Sequence, residues 1–122
     1  MNKELISQNH FHFIGVGGIG MSAIAMGLLK KGYSVSGSDL VKNNETNKLK
    51  QLGAIIFTSQ GQQNIEFLTS KFNNKLINFV VSSAIKPENE EFSYCKEKNL
   101  SIKHRSEILA TVSYTHLRAH ET

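Results

Sequence analysis

Four glycines, Gly15, Gly17, Gly18 and Gly20, break into an apolar stretch and are followed at once by Met21 and Ser22. Gly15, Gly17 and Gly20 have the spacing Gly-x-Gly-x-x-Gly. In such a loop the first glycine permits a tight turn, the second lets backbone approach a phosphate, and the third lets helix and strand pack closely. If a strand precedes and a helix follows, unpaired N–H groups and roughly half a positive charge face the ligand. A diphosphate is the natural guest. Ser22 adds a hydroxyl in the first helical turn, where it can meet phosphate oxygens or cap the helix. A glycine-rich structural turn is the plainer alternative, and the pattern leaves both open.

Other polar residues fall at comparable places. Asp39 follows Gly20 by about 20 residues, where dinucleotide folds place an acid on the ribose hydroxyls. It reads equally well as a cap or turn aspartate, and the spacing suits NAD as well as any other ribose-diphosphate. Ser82 and Ser83 close a later apolar run and can donate to a sugar or phosphate, or serve the loop itself. His12, flanked by Phe11 and Phe13, reads as structural, at the edge of the sheet. His104 and Arg105 read as solvated loop residues near the ligand edge. Cys95, in a helical pattern, reads as a buried structural thiol. His116 and His120 have i, i+4 spacing, but no nearby Cys or acidic cluster completes a metal site.

The elements that must position these groups follow from periodicity. Phe11–Val16 is a short apolar run bounded by glycine, the pattern of a buried parallel strand. Met21, Ile24, Ala25, Leu28 and Leu29 then form one helix face, with Lys30 and Lys31 in the last turn and Gly32 as the stop. Further strands are predicted over 33–39, 54–58, 76–82 and 100–103. Helices are predicted over 43–53 (Leu49 and Leu52 inward), around Ile65–Phe72 after a polar loop at 59–64, over 88–99 with Pro87 near the start, and from Arg105. Strands alternating with helices at this spacing argue for βαβ units and a parallel sheet, with ligands at the C-terminal strand ends. No internal repeat or low-complexity linker is present.

Composition narrows the class. A chain of 122 residues that is 39% hydrophobic and 20% charged can form one globular domain with a real core. No apolar run approaches the about 20 residues of a membrane span, and the polar N-terminus lacks a signal-type apolar segment. A single cysteine fits a reducing, cytoplasmic setting. The net charge of +4 comes from scattered lysines, not from the basic stripe that nucleic-acid binding requires. Neither a nucleic-acid nor a membrane partner is expected.

Together, His12–Ser22, Gly37-Ser-Asp39, Val80–Ile85 and Arg105–Ala110 resemble the N-terminal domain of the UDP-N-acetylmuramate–L-alanine ligases within the Mur ligase family of peptidoglycan synthesis. The likeness covers residues 8–110 in order, and the Gly-Gly-x-Gly-Met-Ser form is more specific than the bare dinucleotide fingerprint. The resemblance implies an α/β fold, a Rossmann-like three-layer domain with a five-stranded, mostly parallel sheet, that binds a UDP-sugar and not NAD. It implies that Gly15, Gly17, Gly18, Ile19, Gly20, Met21 and Ser22 cradle the diphosphate. Ser38 and Asp39 would reach the uridine end, and Ser82, Ser83 and Ala84 would line the same cleft. Family members often carry Gly-His after strand three, where this chain has Ser59-Gln60, which puts a uridine contact by that loop in question.

The resemblance also implies what lies outside this chain. Family members continue into a central ATPase domain opening with Gly-Thr-His-Gly-Lys-Thr-Thr, then a third domain; no Gly-x-x-x-x-Gly-Lys-[Ser/Thr] occurs here. Their chemistry activates the muramate carboxylate as an acyl phosphate, with ATP and magnesium, for attack by L-alanine. Residues 1–110 would therefore be a UDP-N-acetylmuramate-binding domain with no catalytic residue, metal or cofactor of its own, marginally stable and prone to associate. Residues 111–122 resemble a translated sequencing adapter and are expected to be non-native. The competing readings are the NAD domain of an oxidoreductase and a non-catalytic nucleotide-binding module.

Overall fold

The computed structural model describes residues 9–39 and 43–109. Strand β1 (His10–Ile14) is buried at all five positions. It pairs with β2 (Ser34–Ser38) on one side and β4 (Ile77–Val81) on the other. Strands β3 (Ile55–Phe57) and β5 (Ile102–His104) complete the order β3-β2-β1-β4-β5, and every pairing is parallel. This is the doubly wound order, in which the direction of winding reverses between β1 and β4. The C-terminal ends of β1 and β2 are level, with Ile14 opposite Ser38.

Helices cover both faces, which is why the strands carry few exposed positions. On one face α1 (Ile19–Lys30) buries Met21, Ile24, Ala25 and Leu28 against Phe11, Phe13, Val35 and Val80. The helix α2 (Asn44–Gln51) adds Leu49 to the same core, and a final helical turn at 105–109 adds Ile108. The opposite face carries α3 (Gln62–Lys71) and α4 (Glu90–Glu97), whose Ile65, Leu68 and Cys95 pack on Ile77 and Phe79. Three layers result, as the resemblance implies.

Several boundaries differ from the sequence expectation for identifiable reasons. A capping box at Asn43 and Thr46 starts α2, the Asn43 side chain accepting from Thr46 N–H at 2.9 Å and Thr46 Oγ1 from Asn43 N–H at 3.1 Å. The helix ends at Gln51, so Leu49 faces the core while Leu52, expected inward, is 48% exposed. Helix α3 starts inside the expected polar loop, because Gly61 caps it and Asn64 turns inward. Asn89 accepts from the N–H groups of Glu91 and Phe92 and starts α4 two residues later than expected, leaving Pro87 outside the helix.

Candidate phosphate-binding site

The glycine loop joins β1 to α1 and is clasped by the end of β2. Gly15 turns the chain with φ +82°, the left-handed region, and a Cβ there would also press on Ile85 at 3.1 Å. The N–H groups of Gly15 and Val16 both donate to the Ser38 carbonyl, at 2.9 and 3.0 Å. Gly17 N–H donates to Asp39 Oδ2 at 2.7 Å, and Asn43 Nδ2 donates to the Gly17 carbonyl at 3.3 Å. Asp39 thus acts first on the loop, fixing it from the neighbouring strand.

The helix behind the loop is open at its N-terminus. Gly18 is its N-cap without a side-chain cap, and the first turn holds no acidic residue. The first helical bond runs from Ser22 N–H to Gly18 C=O at 2.8 Å. The N–H groups of Ile19, Gly20 and Met21 therefore have no acceptor within the helix. They open on a groove of about 280 Å³ lined by Gly18, Gly20, Met21, Ser82, Ser83, Ala84 and Arg105. Its walls come from the segments after β1, β4 and β5; the first two of these strands flank the switch point, where doubly wound sheets bind ligands. The wall after β4 is a compact turn, with Ile85 N–H bonded to Ser82 C=O and Ala84 N–H to Ser82 Oγ.

Of the expected site residues, Gly18, Gly20, Met21, Ser82, Ser83 and Ala84 come together in this groove. Gly15 and Gly17 shape the loop behind it, the Ile19 backbone opens α1, and Ser22 is buried in the first turn. Arg105, expected as a solvated loop residue, lines the groove instead. His104 lies beside it but serves the chain turn, its Nδ1 accepting from Ser106 N–H at 3.2 Å. A second depression, about 360 Å³, is lined by Gln62, Glu88, Glu90, Ser93, Tyr94 and Glu97; its charge is wrong for a phosphate.

The side chain of Ser38, expected to reach the uridine end, turns into the interior. Its hydroxyl is fully buried and donates to Glu91 Oε1 at 2.8 Å. Glu91, also fully buried, takes four donors: His12 Nε2 and Ser38 Oγ on one oxygen, Gly61 N–H and Asn64 Nδ2 on the other. Gln60 joins the rim, accepting from Asn89 Nδ2 at 3.0 Å. One carboxylate therefore ties β1, β2, the β3–α3 connection and α4 together at the ligand edge. His12, expected at the sheet edge, sits instead in the central strand, wholly buried.

The polar chain continues inward from His12 Nδ1 to Ser36 Oγ, from Ser36 Oγ to His10 Nε2, and from His10 Nδ1 to Ser34 Oγ, each at 2.7 Å. An ionised carboxylate only accepts, so His12 Nε2 must carry a proton. At a pH where both rings are neutral every later role follows: Ser36 donates to His12, His10 Nε2 donates to Ser36, and Ser34 donates to His10. Burial, with His12 and Lys71 nearby, pushes His10 down to about 3, so its ring is neutral at pH 7. Burial alone would raise the Glu91 carboxyl, but the hydrogen bonds from His12, Asn64 and Ser38 act against it and hold it below the ordinary carboxylate range. The Cys95 thiol is buried and pushed up to about 12, mainly by desolvation, as befits a structural residue.

Among the described residues no group of three His, Cys, Asp or Glu side chains is placed to hold a metal, and no helix is long and apolar enough to cross a membrane. His116, His120 and the whole 111–122 segment lie outside the described residues.

Sheet order, layer arrangement and the open helix at the switch point define a Rossmann-like α/β domain. The chain matches the family model described as "Mur ligase family, catalytic domain" over residues 10–115, and it belongs to the Mur ligase family. It is 67% identical over 119 residues to the UDP-N-acetylmuramate--L-alanine ligase of Prochlorococcus marinus subsp. pastoris, covering 96% of this chain and 25% of that protein. The Aquifex aeolicus protein of the same description is 45% identical over 110 residues, covering 90% of this chain and 22% of its own length. The crystal structure of UDP-N-acetylmuramate-alanine ligase from Thermotoga maritima superposes with a TM-score of 0.72 at 25% identity, over 87% of this chain and 23% of that one. The chain thus spans about a quarter of the length of these relatives.

Proposed function

We propose that this chain is the substrate-binding N-terminal part of a ligase that joins L-alanine to UDP-N-acetylmuramate, and that the groove holds the diphosphate of that UDP-sugar. The observation that carries the reading is the uncapped N-terminus of α1 opening at the β1/β4 switch point, in a chain whose relatives are described as ligases of that substrate. The N–H groups of Ile19, Gly20 and Met21 donate to phosphate oxygens, and the Ser82 and Ser83 hydroxyls close the groove from the other wall. The nucleoside runs toward the end of β2, past Asp39. This setting is the cytoplasmic assembly of peptidoglycan precursors.

The residues present do not fit ATP and magnesium. The chain has no Gly-Lys-[Ser/Thr] loop, and its described acidic residues form no metal-holding group. Phosphoryl activation of the muramate carboxylate and attack by the alanine amine therefore belong to the rest of the ligase, and no residue here is assigned to them. Calorimetric titration of the chain with UDP-N-acetylmuramate and, separately, NADH tests the reading. Saturable heat with the UDP-sugar and none with NADH is expected; the reverse pattern returns the loop to the oxidoreductase reading.

A further inference from the structure

Gly20 does more than bring helix and strand together. A Cβ built there would lie 2.6 Å from Arg105 Nη1, so the absence of a side chain is what lets the guanidinium rest over the first turn of α1. Arg105 reaches that position from the edge of the sheet. It follows β5, next to β4, whereas α1 follows β1. Its backbone is fixed at both ends: His104 N–H donates to Glu107 Oε2 at 2.8 Å, and Ile108 is buried in the α1-side core.

This placement is electrostatically unfavourable by itself. A guanidinium is always charged, and it faces a helix end that carries about half a positive charge. Among the residues that line the groove there is no carboxylate to offset the conflict. Two positive elements from different parts of the chain, converging on one groove, are complementary to an anion between them.

Resting on the reading of the groove given above, we infer that Arg105 is a ligand-contacting residue, the charged half of a two-sided clamp on the diphosphate. Main-chain N–H groups of α1 hold one side, and the guanidinium holds the other. The diphosphate is favoured over a carboxylate on the sugar because Arg105 lies against Gly20, within the set of N–H donors itself. Planar, paired donors also suit phosphate oxygens.

The test is calorimetry on the 122-residue chain and on R105Q, R105K and G20A, with uridine, UDP, UDP-N-acetylglucosamine and UDP-N-acetylmuramate at low and high salt. R105Q should weaken UDP and both UDP-sugars alike by about 10- to 100-fold, the range of a lost charge-assisted hydrogen bond. Uridine binding should be unchanged, and the salt dependence of UDP binding shallower. R105K should recover part of the loss. G20A, which displaces the guanidinium without removing its charge, should weaken UDP in the same sense and keeps the inference testable if R105Q does not fold. UDP binding by R105Q and G20A equal to that of the unaltered chain overturns the clamp while leaving the groove intact. A loss confined to UDP-N-acetylmuramate reassigns Arg105 to the carboxylate and overturns the diphosphate contact. Failure of the unaltered chain to bind UDP at all overturns the groove reading instead, and the clamp with it.

Discussion

Replacing Glu91 by glutamine should reverse the protons along the entire buried chain. Glutamine keeps the size of Glu91 but has one acceptor oxygen and one NH2 group. Gly61 N–H is a main-chain donor and cannot reverse, so the amide oxygen must take the position facing Gly61 and Asn64. The NH2 group then faces Ser38 and His12. Ser38 can rotate its hydroxyl and accept. His12 can accept at Nε2 only if its proton moves to Nδ1, which then donates to Ser36. Ser36 must in turn donate to His10 Nε2, and His10 Nδ1 to Ser34. The bonds from Gly61 and Asn64 keep their direction, and those through Ser38, His12, Ser36, His10 and Ser34 survive with theirs changed. The cost is the loss of charge assistance, about 1–3 kcal/mol for the cluster. Glu91→Ala, by contrast, strands four buried donors and should cost more than about 4 kcal/mol. Imidazole 15N shifts at pH 8 read the tautomers directly, and urea denaturation reads the stability. Both rings should be Nε2–H in the unaltered chain and Nδ1–H in E91Q. Unchanged tautomers in E91Q, or equal stabilities for E91Q and E91A, would refute the reasoning.

Further outcomes follow from the same structure. His10 has a folded pKa of about 3 against 6.5 unfolded, so the unfolded state binds the extra proton between those values and stability must fall as pH falls through that window. The loss between pH 7 and pH 5 should be about 2 kcal/mol by urea denaturation, and a flat profile there contradicts a buried neutral ring. Glu91, held below the ordinary carboxylate range, contributes stability above its unfolded pKa and loses it as pH drops through the folded one, adding a second decline at more acid pH. Leu49→Ala should cost about 2–5 kcal/mol and Leu52→Ala less than about 0.5, since only the first is buried; equal effects in denaturant titrations would contradict where α2 ends. Incubation with ATP, L-alanine and UDP-N-acetylmuramate should release no phosphate above background, and release would show catalytic groups within this chain.

The sequence makes the strand–helix alternation, the glycine loop and the Ser82–Ser83 segment legible because each depends on local pattern: a bounded apolar run, a helical face, or glycine spacing. Sheet order is not local. Nothing between Phe11 and Phe13 shows that β1 is central, and so His12 reads as an edge residue until β4 is seen to pair with it. The buried hub did leave a trace: His10 and His12, and Ser34, Ser36 and Ser38, recur at period two, placing five polar side chains on one face of adjacent strands. Their partner Glu91 leaves none, because a glutamate in the first turn of a helix is ordinary on a solvated surface. Leu52 misleads for a similar reason: it fits the helical period, but the helix stops one residue before it. Arg105 enters the groove from β5, and only the fold brings it against Gly20.

The central claim is that the glycine loop and the turn after β4 hold a UDP-sugar diphosphate. Titrating the 15N-labelled chain with UDP and following the backbone amides tests it most directly. Shifts concentrated at Gly18, Ile19, Gly20, Met21, Ser83 and Ala84, absent on adding NADH, are predicted. Shifts produced by NADH and not by UDP, or UDP shifts gathered around Glu88–Glu97 instead, would contradict it.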